Sequence, residues 1–143
     1  MTEQATQLEI ARARMPHRGA MQLIEEIAEI DATSIRCIST GHTAAGHPLR
    51  LDGVLYVSAL VELGAQAAAA HASVHGMGGA HAGLVLAMND VEIHGIRVDA
   101  PRLEILATLA ESIHGAARYT FAVDGPARLL SGSLLLSMQM RPE

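Results

Sequence analysis

Aromatic side chains are scarce in this chain of 143 residues. The sequence has two Tyr, one Phe and no Trp, and its basic residues form no cluster. Proteins that bind single-stranded nucleic acid need aromatic rings on which bases stack, and nucleic-acid binding in general needs a basic patch. The net charge of −5 with neutral histidines points the same way. We therefore expect no nucleic acid among the partners.

Cysteine is also scarce, since Cys37 is the only one. A single cysteine cannot form an intramolecular disulfide, which is typical of cytosolic proteins. Residues 1–10 are polar and lack the basic-then-apolar pattern of a signal peptide. We expect a cytoplasmic protein with one domain over residues 1–143, because a chain of this length can bury a hydrophobic core.

The most apolar stretch of the chain, residues 54–74, is long enough to cross a bilayer. It is built largely of alanine, but it contains Glu62 and other polar side chains that are costly to insert into a membrane. The stretch therefore predicts no membrane span. It predicts a helix of about 20 residues that is apolar nearly all round and buried on most faces.

The remaining pattern predicts strands on both sides of this helix. The predicted elements are a helix at 2–13, a loop at 15–21, strands at 21–30 and 34–40, a loop at 41–53, the long helix, a glycine-rich link at 76–83, and strands at 84–93, 102–112, 117–124 and 129–140. Asp124-Gly125 favours a turn between two of these strands. A sheet wrapped around one helix buries the whole helix and the single apolar face of each strand. We therefore predict the hotdog fold, an α+β architecture with an antiparallel sheet around one long central helix.

Glu62 is the only acidic or basic side chain apart from histidine between Gly53 and Gly76. Ser58, Glu62 and Gln66 follow at i, i+4 and i+8, so they share one stripe of a continuous helix. The stripe has two interpretations. It is either a polar seam facing solvent or a dimer partner, or a catalytic carboxylate in an apolar tunnel. Burial would raise the pKa of Glu62 and let it exchange a proton near neutral pH.

Histidine is frequent, with eight residues. His71 and His75 stand at i and i+4, which could supply half of a zinc site. The sequence offers no His-Glu-x-x-His motif, no cysteine pair and no clear third ligand, so we predict no metal site. His17, His42 and His47 fall in predicted loops.

Four segments of the chain resemble known dehydratases. Residues 15–25, Met-Pro-His-Arg-Gly-Ala-Met-Gln-Leu-Ile-Glu, resemble the Leu-Pro-His-Arg-x-Pro-x-Leu-Leu-x-Asp opening of bacterial 3-hydroxyacyl-ACP dehydratases, whose central helix begins Glu-Ala-Leu-Ala-Gln. The ApeP-like dehydratases of aryl-polyene pigment clusters are more similar. They carry Pro-Leu-Arg-x-Asp-Gly and then Ile-Glu-Tyr-x-Ala-Gln-Ala-x-Ala-x-His. Residues 48–53 here read Pro-Leu-Arg-Leu-Asp-Gly, and residues 61–71 read Val-Glu-Leu-Gly-Ala-Gln-Ala-Ala-Ala-Ala-His. Residues 119–123 also resemble that branch.

The resemblance implies dehydration of a 3-hydroxyacyl thioester to a trans-2-enoyl thioester, in fatty-acid or polyene-type biosynthesis. A neutral histidine would remove the proton next to the carbonyl, and protonated Glu62 would donate to the leaving hydroxyl. The His-Phe-Pro-Gly segment that carries the catalytic histidine of the dehydratases is absent here. The base therefore stays open among His17, His42 and His47.

The resemblance also implies a substrate on the phosphopantetheine arm of an acyl carrier protein or on CoA, without a metal or redox cofactor. Gln66, Ser58 and Gly53 are expected to contact this substrate. Hotdog dimers build each site from both subunits, so we expect a homodimer or higher even oligomer, or a hetero-oligomer with a related dehydratase. Two alternatives stay open: an acyl thioesterase that uses the same Glu62, and a non-catalytic subunit that binds acyl chains or an active partner.

Overall fold

Two α-helices and six β-strands make up the described part of the chain. The computed structural model describes residues 2–14, 19–75, 80–113 and 115–140. The elements are α1 (Glu3–Arg14), β1 (Glu26–Ile30), β2 (Ser34–Ser39), α2 (Val61–His75), β3 (Ala80–Ile93), β4 (Leu103–Ile113), β5 (Ala116–Asp124) and β6 (Arg128–Met140). Among these residues, no helix combines the length and the apolar character that a membrane crossing requires.

The six strands form one antiparallel sheet in the order β1-β2-β4-β5-β6-β3. The predicted hairpin of β1 and β2 is confirmed, with Ile30 opposite Ile35. Its turn is held by Asp31, whose Oδ1 accepts the backbone N–H groups of Thr33 at 2.9 Å and Ser34 at 2.8 Å. Aspartate favours such turns because its short side chain reaches the backbone two or three residues on.

The sheet wraps around α2, and this confirms the predicted α+β architecture. All residues from Leu63 to Ser73 are buried, so α2 has no continuous polar face. Alanine is the strongest helix former and has a small side chain, which lets the strands approach the helix closely. The strands β4, β5 and β6 cover the helix with alternate residues. These are Leu103, Ile105 and Ala107 of β4, Tyr119, Phe121 and Val123 of β5, and Leu130, Leu134 and Leu136 of β6.

The helix α1 lies against α2 and β1. Ala11 is buried in the core, and Arg14 Nη1 donates to the carbonyl of Ser73 on α2 at 2.8 Å. Arg12 Nη2 donates to the carbonyl of Ile24, just before β1, at 2.7 Å. The polar helix α1 therefore covers part of α2 with its few apolar residues and anchors itself through arginine side chains.

Three element boundaries differ from the sequence prediction by four residues or more. The strand β1 begins at Glu26 instead of residue 21, because the N–H of Leu23 and the carbonyl of Ile24 bond to side chains and not to a neighbouring strand. Helix α2 begins at Val61 after a 3₁₀ turn at Val57–Leu60. The strand β3 begins at Ala80, within the predicted link, because β6 is long enough to pair with it there.

Exposed apolar side chains concentrate on β3, which lies at one edge of the sheet. Leu84 is 66% exposed, Leu86 57% and Ile93 48%. An edge strand has unpaired backbone groups, and proteins usually protect such edges with charge or with covering structure. The apolar edge of β3 is therefore a surface suited to contact with another chain.

The close packing of β5 on α2 yields a stability prediction at Gly64. A Cβ added there would lie 2.8 Å from Cγ and 2.9 Å from Cε2 of Phe121. A rigid ring cannot give way easily, and overpacking costs about 1–3 kcal/mol. The gain in helix propensity, roughly 1 kcal/mol, offsets only part of this. We expect Gly64→Ala to lower the melting temperature, measured by calorimetry.

Gly46→Ala is the matched control, because a Cβ at Gly46 meets no atom within 4 Å. It should change the melting temperature little. A Gly64→Ala protein as stable as the wild type would show that Phe121 does not limit the space beside α2.

Candidate active site

Glu62 and Gln66 lie on one face of α2, one turn apart. Glu62 is half-buried in the first turn of the helix, where the helix N-terminus favours negative charge. Gln66 is fully buried, and its Nε2 donates to Glu62 Oε1 at 3.1 Å. The structure therefore pairs the carboxyl with a buried amide from the next turn.

The same amide binds the backbone of the segment before β1. Gln66 Nε2 donates to the carbonyl of Met21 at 2.6 Å, and its Oε1 accepts the N–H of Leu23 at 2.8 Å. Both N–H groups of the amide are thus used within the protein, and one bond occupies the oxygen. In this geometry Gln66 connects Glu62 to the backbone of Met21 and Leu23, whereas the sequence analysis expects Gln66 to contact the substrate.

His17 lies outside the described residues. The described chain resumes at Gly19 with a 3₁₀ turn, Gly19–Met21. Met21 and Leu23 are the residues that Gln66 holds against α2. The segment that follows His17 therefore lies next to the face of α2 that carries Glu62.

His47 is half-buried in the loop before α2. Its Nδ1 accepts the N–H of Leu49 at 3.2 Å, so the proton of the neutral ring sits on Nε2. Burial lowers the pKa of His47, and the charges of His42 and Arg50 act in the same direction. His47 is therefore neutral at physiological pH, but its basic nitrogen is already engaged by the loop.

His42 is buried, and both of its ring nitrogens are engaged. Nδ1 lies 3.0 Å from Ser39 Oγ, and Nε2 lies 2.7 Å from the carbonyl of Ala100. Since a carbonyl only accepts, Nε2 carries the proton and Nδ1 accepts from the serine hydroxyl. This histidine joins the end of β2 to the segment before β4 and has no basic nitrogen left for a substrate.

Arg50 fastens the loop in which His42 and His47 lie. Its Nε and Nη2 donate to the carbonyl of His42 at 3.1 and 2.9 Å, and its Nη1 donates to the carbonyl of Gly53 at 2.8 Å. Planar guanidinium groups suit such multiple bonds. Residue-by-residue reasoning missed this role. The family motif Pro-Leu-Arg-Leu-Asp-Gly, which contains Arg50, could have indicated that this arginine is important.

Gly53 and Ser58 are both exposed and precede α2. Gly53 and Asp52 form the tight turn between Leu51 and Val54, with φ of 78° and 51°. A two-residue turn with positive φ at both positions favours the sequence Asp-Gly. Ser58 lies in the 3₁₀ turn, which has three residues per turn, so it departs from the stripe that a continuous α-helix would give.

Of the two histidines on α2, the buried His71 has a structural role. His71 Nδ1 lies 2.6 Å from Tyr119 Oη, and Nε2 lies 2.9 Å from the carbonyl of Asp31. The ring of His75 stacks on it at 4.9 Å between centroids. Both nitrogens of His71 are engaged, and the described residues contain no group of three or more His, Cys, Asp or Glu that could hold a metal ion.

A surface depression of about 400 Å³ lies elsewhere on the sheet. Thr108, Thr120 and Ser133 stand side by side across its floor on β4, β5 and β6. None of the expected site residues lines it. We therefore do not assign this depression to the reaction.

An antiparallel sheet around one central helix defines the hotdog class, and solved structures share this fold. A chain of the dehydratase heterocomplex ApeI:P from Xenorhabdus doucetiae superposes with a TM-score of 0.76, at 18% identity over 94% of this chain and 91% of that chain. A thioesterase family protein from Silicibacter pomeroyi gives 0.72, at 14% identity over 96% and 98%. Zebrafish thioesterase superfamily member 2 gives 0.69, at 13% identity over 97% and 100%.

The chain belongs to the ApeP-like family, described as ApeP dehydratase, whose model matches residues 10–130. The family match confirms the resemblance and the enzyme class expected from the sequence. Its family makes the protein a dehydratase, that is, a hydro-lyase. No curated protein matches the sequence.

The buried His71 predicts that stability falls in acid. Burial lowers its pKa in the folded protein, although its bond to the carbonyl of Asp31 opposes this shift. In the unfolded chain a histidine titrates near pH 6.5, roughly its model value. As the pH falls through that value, His71 binds a proton in the unfolded chain but stays neutral in the folded protein. The free energy of unfolding therefore decreases.

Urea titrations at pH 7.5 and 5.5 would measure this loss. We expect a shallower pH dependence in His71→Gln, with a remainder from His47, whose pKa burial also lowers. The exposed His94 supplies the control, since His94→Gln should keep the wild-type slope. Equal slopes in His71→Gln and the wild type would assign the acid sensitivity to other groups.

Proposed function

We propose that Glu62 and His17 are the general acid and general base that remove water from a 3-hydroxyacyl thioester. The observation that carries this proposal is the buried amide of Gln66, which bonds to Glu62 and to the backbone of Met21 and Leu23. His17 stands four positions before Met21, so the chain between their Cα atoms spans at most about 14 Å. The sequence that follows His17 leads directly into the residues that Gln66 holds beside Glu62, whereas the described bonds of His42 and His47 engage their basic nitrogens elsewhere.

In this mechanism His17 takes the proton from the carbon next to the thioester carbonyl. The electron pair forms the carbon–carbon double bond, and the carbon–oxygen bond to the 3-hydroxyl breaks. Glu62 gives its proton to the departing hydroxyl, which leaves as water. The N-terminal N–H groups of α2 would polarise the carbonyl, and the exposed Gly53 and Ser58 would border the thioester.

The substrate would arrive on the phosphopantetheine arm of an acyl carrier protein or on CoA. Elimination of water leaves the substrate at the same overall oxidation level, so the proposed chemistry needs no redox cofactor, and the two side chains supply the proton transfers without a metal. We place the reaction in the cytoplasm, which is the compartment that suits the lone, buried and reduced Cys37.

The assembly would be a dimer or higher even oligomer in which a second hotdog chain covers β3. The exposed Leu84, Leu86 and Ile93 support such a contact, because an apolar edge strand is a template for pairing. The partner is either a second copy or a related dehydratase. The solved ApeI:P structure is a heterocomplex of that kind.

A thioesterase is the second candidate, because several proteins with this fold are thioesterases. Glu62 would then activate a water that attacks the thioester. Mass spectrometry of a 3-hydroxyacyl-ACP after incubation separates the two reactions. Loss of one water from the intact thioester supports the dehydratase, and release of the free acid supports the thioesterase. An unchanged thioester would favour a non-catalytic subunit.

We expect Glu62→Gln to reduce kcat for dehydration by about 10²- to 10⁴-fold, the range typical of a lost acid or base. The amide has the shape of the carboxyl but no proton to give at neutral pH. Enoyl product formation, followed by absorbance, measures the loss.

Glu9→Gln is the control for this variant, since Glu9 is exposed on α1. It should retain full activity. Light scattering should show the same assembly for both variants and the wild type. Full dehydration by Glu62→Gln would remove Glu62 from the mechanism.

The two candidate histidines should differ sharply on substitution. We expect His17→Ala to lose about 10²- to 10⁴-fold in kcat and His47→Ala to lose little, because His47 Nδ1 serves the loop through Leu49. Parallel assays of both variants test this. A large loss in His47→Ala with an active His17→Ala would reverse the assignment.

A mixing experiment tests whether the acid and base belong to one chain. Co-expressed His17→Ala and Glu62→Gln chains, carrying different tags, form mixed dimers that tandem purification isolates. If each site takes both residues from one chain, every site in the mixed dimer is defective and activity stays low. Recovery of activity would mean that the two residues come from different chains.

A further inference from the structure

We propose that Gln66 is the positioning residue of this site, which fixes both the direction and the proton affinity of the Glu62 carboxyl. The inference rests on the proposed role of Glu62 as general acid. It assigns to Gln66 a function beyond filling the core, and one different from contact with substrate.

The orientation of the Gln66 amide is set by the backbone of Met21 and Leu23. The carbonyl of Met21 needs a donor and the N–H of Leu23 needs an acceptor. A rotation of the amide by half a turn would place N–H against N–H and oxygen against oxygen. Because the side chain is fully buried, water cannot repair such a mismatch. Only one orientation therefore satisfies the segment.

This fixed orientation aims the second N–H of Gln66 at Glu62. The two hydrogens on an amide nitrogen lie in one plane at a set angle, so the bond to Met21 determines where the other hydrogen points. It points to Glu62 Oε1, at 3.1 Å from Nε2. Gln66 thus holds Oε1 of the carboxyl, and the segment at 21–23 determines the direction of this bond.

The same bond acts on the proton affinity of Glu62. An N–H donor stabilises the carboxylate more than the neutral acid and lowers the pKa, while burial raises it. A general acid must release its proton during each turnover and regain it before the next. The Gln66 donor counters the effect of burial and keeps Glu62 able to do both.

Two variants of Gln66 separate these effects. Gln66→Met keeps the length and approximate volume but removes all three bonds. Gln66→Glu keeps an acceptor for Leu23 but loses both N–H donors, and it places a second carboxyl beside Glu62. Gln4→Met, at an exposed position of α1, is the control.

The first measurement is the pKa of Glu62 itself, by ¹³C NMR titration of glutamate-labelled protein with Glu62→Gln for assignment. We expect this pKa to rise in Gln66→Met and in Gln66→Glu, and to stay unchanged in Gln4→Met. An unchanged or lowered Glu62 pKa in Gln66→Met would overturn the inference. If Gln66→Met does not fold, Gln66→Leu decides, because it also removes the donor and adds no charge, whereas the second carboxyl of Gln66→Glu raises the Glu62 pKa by itself.

The second measurement is the pH profile of kcat and KM with a 3-hydroxyacyl-ACP. We expect kcat to fall about 10- to 100-fold with little change in KM, as misplacement of a catalytic group does. The alkaline limb should move to higher pH. A lower kcat with an unmoved limb would mean that Gln66 only stabilises the fold. An inactive wild type would refute the proposed function, and the NMR titration would still decide whether Gln66 controls Glu62.

Discussion

The helix α2 is enclosed on all sides, and this enclosure governs the packing of the other elements. A helix in which every residue from Leu63 to Ser73 is buried cannot leave one side to water. The sheet covers most of it, and α1 covers more. Such packing requires small side chains, which the alanines supply. It also requires a glycine at position 64, where the ring of Phe121 lies directly on the helix.

Enclosure has a second consequence, since a buried polar group without a partner costs free energy. His71 finds its partners in Tyr119 and in the hairpin turn at Asp31. Gln66 finds its partners in the backbone of the segment before β1 and in Glu62. These bonds connect elements distant in sequence to the helix. The candidate site is thus assembled by the same requirement that stabilises the core.

The histidines divide according to how their ring nitrogens are used. In His42 and His71 both nitrogens bond to protein groups, so these rings act as buried connectors. His47 is intermediate, with one nitrogen engaged by the backbone of its own loop. A catalytic base needs a lone pair directed at substrate. Membership of a dehydratase family and the location of the segment after His17 together make that residue the base that we favour.

The fold and the family follow from patterns in the sequence alone. The apolar helix requires a wrapping sheet, the strands show their turns at Asp31 and Asp124, and the motifs around Glu62 carry the resemblance. These features are local or periodic, so a linear pattern can show them. Composition places the start of α2 too early, because residues 54–60 are apolar, whereas in the structure Leu55 and Val57 pair through their backbone with Val98 and Ile96 and the α-helix begins only at Val61. The hydrogen-bond partners of Gln66, His42 and Arg50 likewise depend on contacts between separate segments of the chain. A polar side chain shows in the sequence that it needs a hydrogen bond, whereas folding determines which group supplies it.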